Sequence, residues 1–201
     1  MKLYADAGYA PVPLRHGRPA VAGIFANASW RFTHGADARF ADCDVGLLCS
    51  ARPLSGATGG ATLRAVMSTW VAGVRWETSD RKLSAEFAAI VERVVGPGPM
   101  RIEGAESLRV LRVDKPLRVM RRLPPQYLPK EQHTALDYQP HRFEVLSAAT
   151  FLSVSGGRWV NGSLPDVRRE QLPTLTAEQA DRIVSQVEAL FNTRGARPWI
   201  R

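Results

Sequence analysis

The stretch His141-Arg142-Phe143-Glu144-Val145-Leu146, followed by Thr150-Phe151-Leu152-Ser153-Val154-Ser155-Gly156-Gly157, decides how this chain is read. Apolar residues at Phe143, Val145 and Phe151 alternate with polar ones. This predicts two short β-strands joined by a Ser147-Ala148-Ala149 turn, a hairpin. Side chains alternate along a strand, so Arg142, Glu144 and Leu146 share the face opposite Phe143 and Val145. Glu144 is therefore a carboxylate in an otherwise apolar strand, with Arg142 two residues away on its own face. It reads either as half of an Arg/Glu pair on the wet face of a sheet, or as a metal ligand or acid/base group in a cleft.

A chain of 201 residues with 45% hydrophobic content can bury a core as one α+β domain spanning residues 1–201. The formal charge is +8 and arginine dominates the basic residues, with a pI near 10.2. Such an excess points to a polyanionic partner, nucleic acid or nucleotide phosphate, because the guanidinium fork suits bidentate phosphate contacts. A high-GC coding sequence would raise arginine in the same way whatever the function. Cys43 and Cys49 stand without a ligand cluster and read as reduced thiols. No charged-then-apolar leader opens the sequence and no run is long enough to span a membrane, so a cytoplasmic protein is expected.

From the start, Leu3, Tyr4, Ala7 and Ala10 are spaced as the apolar face of a short helix that Gly8 weakens near its end. Val12-Pro13-Leu14 reads as a brief strand and Arg15-His16-Gly17-Arg18-Pro19 as a basic loop. Asp44 to Cys49 reads as a buried strand, closing an N-terminal α/β part over 1–54. Residues 55–82 show no legible period and are expected to be loop or aberrant. Leu83, Phe87, Ile90, Val91 and Val94 then line one face of a helix that Gly96-Pro97-Gly98 ends. Met100 to Glu103 and Leu108 to Val113 are strand-like, Pro116 to Gln139 is a basic excursion with one strand at Leu117–Met120, and Asn161-Gly162 marks a turn. Thr176 is the expected N-cap of a closing helix whose stripe is Ala180, Ile183, Val184, Val187, Leu190 and Phe191.

Taken in order, several stretches carry a resemblance. These are Tyr4 to Tyr9, Pro11 to Leu14, the basic Gly/Pro loop, Trp30 and Val45-Gly46-Leu47-Leu48. Gly98 to Ile102, Leu108 to Arg112, His141 to Leu146, and Leu172 to Thr176 with the closing helix follow. Together they resemble the N-terminal domain of bifunctional DNA primase/polymerases (prim-pol), of the archaeo-eukaryotic primase superfamily. The resemblance implies an RRM-like mixed or antiparallel sheet packed by helices. It also implies DNA replication by template-directed nucleotidyl transfer, with Mg2+ or Mn2+ ions binding clustered carboxylates. Glu144 would be the last acidic metal ligand and catalytic residue. Arg101 and Arg112, together with Arg142 and His141, would contact nucleotide or DNA. The implied partners are template DNA, nucleoside triphosphates and a separately encoded replicative helicase, with no membrane. A non-catalytic nucleic-acid or nucleotide-binding descendant of the same fold is the alternative.

The sequence departs from the family at one decisive place. The expected Asp-x-Asp pair after the Gly-Leu-Leu run is missing, since no acidic residue lies between Ser50 and Glu77. Val66-Met67-Ser68-Thr69-Trp70, read in a shifted frame with guanine at the third codon positions of Val66, Ser68 and Thr69, would encode Asp-Val-Asp-Val-Gly. Out-of-frame translation from about the Gly56 loop to the Glu77 region would account for both the missing pair and the illegible period.

Overall fold

The computed structural model describes residues 2–9, 11–16, 18–19, 42–49, 71–114, 117, 121–128, 140–146 and 150–198. Helices and antiparallel sheets make a mixed α+β architecture, organised around β4 (Val71–Glu77). This strand lies between β6 (Glu106–Arg112) and β9 (Arg142–Leu146), pairing antiparallel with both. β5 (Met100–Glu103), β7 (Arg121–Arg122) and β11 (Arg158–Val160) complete a six-stranded sheet in the order β11-β5-β6-β4-β9-β7.

Both faces of β4 are covered, and its alternation assigns them. Ala72, Val74 and Trp76 belong to a core shared with α2 (Arg81–Val95) and α3 (Ala177–Thr193), whereas Val71 belongs to a second core on the opposite face. On the helix side, Trp76 stacks on Phe143 with centroids 6.2 Å apart, and Phe87 meets both Phe143 and Phe191 edge-on. Leu83, Phe87, Ile90 and Val91 of α2 are buried, as are Ala180, Ile183, Val187 and Phe191 of α3. Burying each of the larger of these side chains contributes about 1.5–3 kcal/mol. Asp80 caps α2 by accepting from the Lys82 and Leu83 backbone amides. Thr176 and Gln179 form the capping box that starts α3.

The opposite face packs on a four-stranded sheet in the order β10-β3-β1-β2, built from β10 (Thr150–Ser153), β3 (Asp44–Cys49), β1 (Pro11–Arg15) and β2 (Arg18–Pro19). Leu47, Leu152 and Val154 from this sheet meet Leu108, Val110 and Leu146 from the six-stranded one. The short α1 (Lys2–Asp6) and the 3₁₀ turns at Leu164–Asp166 and Arg169–Gln171 close the end of this core, where Tyr9 donates to the Val167 carbonyl at 2.8 Å. β12 (Arg197–Pro198) pairs with β8 (Gln126–Tyr127) as a separate two-stranded ribbon. The turn after β11 places both Asn161 and Gly162 at positive φ, as its Asn-Gly pair predicts.

Three expectations are corrected. β9 and β10 do not form a hairpin: β9 pairs with β4 and β7, β10 pairs with β3, and the chain crosses between sheets after Leu146. The crossing buries Leu152 and Val154 in the core between the sheets. Within 55–82, expected to be loop or aberrant, Val71–Glu77 is instead the strand with neighbours on both sides, so a disruption of the chain's regular pattern would have to end before Val71. Leu3 is 69% exposed, while Tyr4 of α1 and Ala7 just after it pack into the second core. Ala10, the shifted-frame stretch Val66–Trp70, the Trp30 region, the 147–149 turn and nearly all of the expected Leu117–Met120 strand lie outside the described residues.

Candidate functional site

Beyond the cover of the four-stranded sheet, the same face of the six-stranded sheet turns polar. Strand register sets the pattern. Arg101 lies opposite Leu108, Leu108 opposite Arg75, Arg75 opposite Glu144, and Glu144 opposite Arg122, so one row of side chains crosses β5, β6, β4, β9 and β7. The next row along carries Glu103, Glu106, Glu77 and Arg142.

Glu144 is the centre of this lattice. Arg75 donates through Nε to Glu144 Oε1 at 2.6 Å and through Nη2 to the same oxygen. Arg122 donates through Nε to Oε2 at 2.8 Å, with Nη2 2.7 Å away. Each carboxylate oxygen is thus taken by its own guanidinium, and the Glu144 side chain is only 9% exposed. The pairing continues outward. Arg75 Nη1 lies 3.7 Å from Glu106 Oε2, and Glu106 Oε1 accepts from Arg101 Nη2 at 2.6 Å. Arg101 also reaches Glu103 Oε2 at 2.9 Å and the Ser155 carbonyl at 2.5 Å, while Arg142 sits 3.4 Å from Glu77. Among the described residues of these two rows, arginines 75, 101, 122 and 142 are each paired with one or more of glutamates 77, 103, 106 and 144.

The structure brings three of the five sequence-predicted residues together and separates two. Glu144, Arg142 and Arg101 lie on the charged face. Arg101 is buried and stands about 14 Å from Glu144 across three strand spacings. Among the described residues its Nε has no hydrogen-bond partner. His141 precedes β9 with the opposite alternation and is buried toward the helix side, where its Nδ1 lies 2.8 Å from Thr78 Oγ1. Arg112 occupies the Glu144 face but four residues along β6 from Leu108, about 13 Å away. There its Nη2 donates to Thr174 Oγ1 at 2.6 Å and its Nη1 to the Glu170 carbonyl.

Arg75, Arg122, Glu77, Glu103 and Glu106 escaped the sequence reading. The one available signal was the period-two spacing of Gly73, Arg75 and Glu77, and the partners of these residues depend on register that no local pattern encodes. On the other side of the sheet a groove of about 990 Å3 runs between α2 and the β5–β6 hairpin, lined by Ala85, Ala88, Met100, Ile102 and Arg158 among others. It shares no residue with the charged lattice.

These features define an α+β chain with two antiparallel sheets face to face, one carrying an ion-paired Arg/Glu lattice. No family model, no curated protein and no solved structure matches the chain. Among the described residues no helix is long and apolar enough to cross a membrane.

Proposed function

We propose that this chain is a domain of the DNA primase/polymerase type that engages template DNA and nucleoside triphosphates in DNA replication. The observation that carries the reading is Glu144, a nearly buried carboxylate set among arginines on the face of the six-stranded sheet that elsewhere packs on the four-stranded one. Two further features support it. β4 and β5 run parallel with β6 between them and α2 connecting them, a split β-α-β arrangement consistent with an RRM-like sheet. The net charge of +8 suits a polyanionic partner.

The Mg2+ or Mn2+ ions of this chemistry do not fit the described residues. Among these, no group of three or more acidic, histidine or cysteine side chains is placed to hold a metal, and both Glu144 oxygens are engaged by arginine. The engagement of both Glu144 oxygens by Arg75 and Arg122 favours the second reading, a domain that binds nucleic acid or nucleotides without catalysis.

Primer extension with Mn2+ on a primed template separates the two. Incorporation that Glu144→Ala abolishes supports the polymerase. DNA binding that weakens steeply with salt, without incorporation, supports the binding domain. Failure of the wild-type chain to bind DNA or triphosphate at low salt overturns both.

A further inference from the structure

We propose that Arg75 and Arg122 form a phosphate-binding pair that Glu144 holds closed, the carboxylate competing with the ligand for the two guanidiniums. The inference deepens the nucleic-acid reading and rests on it. Register places the two arginines on the strands flanking Glu144, about 10 Å apart, with their forks turned onto the carboxylate between them. A fork that embraces a carboxylate through two nitrogens fits a phosphate in the same way.

Burial shows which partner moves. Glu144 is 9% exposed and fixed in the middle of the sheet, whereas the side chains of Arg75 and Arg122 are 39% and 59% exposed. Their heads can turn outward and the carboxylate cannot follow. Arg142, 3.4 Å from Glu77 in the next row and also exposed, stands ready to add a third contact.

Charge pairing adds the second half of the argument. In these two rows each described arginine is paired with a glutamate, so a phosphate gains a guanidinium there by displacing a carboxylate. Each exchange leaves Glu144 short of a cation in a nearly buried position, which is costly and holds the pair shut. Neutralising Glu144 removes both the competitor and that cost. The phosphate is either the backbone of single-stranded nucleic acid or the tail of a nucleoside triphosphate.

The test compares wild type with Glu144→Gln at low salt in EDTA. Anisotropy of a labelled oligodeoxythymidylate reports the first source, and calorimetric titration with ATP the second. Glu144→Gln is expected to bind one or both about three- to tenfold more tightly, and the ligand that gains identifies the source. Adding Arg75→Gln or Arg122→Gln to that variant is expected to remove the gain. Equal or weaker binding by a folded Glu144→Gln overturns the proposal. Should that variant not fold, Arg122→Gln, on a short edge strand, serves instead: weakening of about threefold supports the pair and unchanged binding overturns it. Because EDTA removes metal, primer extension in Mn2+ reports on the polymerase reading separately.

Discussion

Arg109 Nη2 donates to the Gly96 carbonyl over 2.7 Å, joining the middle of β6 to the C-terminal cap of α2. Arg109 is 3% exposed, and burial pulls its pKa down while Glu92 pushes it back up. A cation there complements the negative end of the α2 dipole and satisfies a carbonyl the helix leaves open. Arg109→Met, which keeps the side-chain length without the charge, is expected to destabilise the fold by about 1–2 kcal/mol. Urea unfolding with an unchanged slope and a lower midpoint is the readout.

Gly73 lies where a side chain of the four-stranded sheet presses on β4. A Cβ built there would lie 2.6 Å from Leu152 Cδ2 and 3.0 Å from Leu108 Cδ1, both side chains being buried. Gly73→Ala is expected to cost about 1–3 kcal/mol through overpacking. Because the clash is chiefly with Leu152, Gly73→Ala combined with Leu152→Ala should destabilise less than the sum of the two changes. A double-mutant cycle in urea checks the coupling, and strict additivity would count against this contact.

Tyr9 gives the fold an alkaline limit. Burial, and then the Glu170 carboxylate, push its phenol pKa well above the ordinary 10.0, with Arg169 pulling part of the way back. The folded state thus holds a proton that the unfolded chain releases, and stability falls wherever the unfolded state binds fewer protons. The contribution is complete below pH 10.0 and declines as pH rises beyond it toward the folded value. Tyr9→Phe loses the hydrogen bond to the Val167 carbonyl, about 1 kcal/mol at neutral pH. It also loses this titration, so the wild-type advantage should shrink between about pH 9 and 11. Chemical denaturation of both proteins across that range decides it.

The two long helices and the strands at Met100–Glu103 and Glu106–Arg112 were legible because their signals are local. Leu83, Phe87, Ile90 and Val91 fall on one helical face, and Thr176 with Gln179 announces a start that the structure confirms. β4 was hidden by composition. Gly73 and Arg75 interrupt an apolar run that register later explains, one by the pressure of Leu152 and the other by the presence of Glu144. The false hairpin has a similar origin, for alternation fixes which residues share a face but not which sheet a strand joins. At the candidate site the face of Glu144 was foreseen while its partners were not. Arg142, two residues away in sequence, pairs with Glu77, and the carboxylate is held by residues 69 and 22 positions distant.

The crossing after Leu146 also fixes an order of assembly. Strand β3 has β1 on one side and β10 on the other, so the first sheet begun during synthesis waits for residues 150–153 before it is finished. Until the ribosome has delivered them, one edge of β3 stands open and Leu47 lacks its neighbour Leu152. The sheet begun in the first third of the chain therefore takes one of its strands from the last third. A truncation ending before Thr150 would carry an unpaired strand edge and expose the core between the sheets, an invitation to pair with another copy.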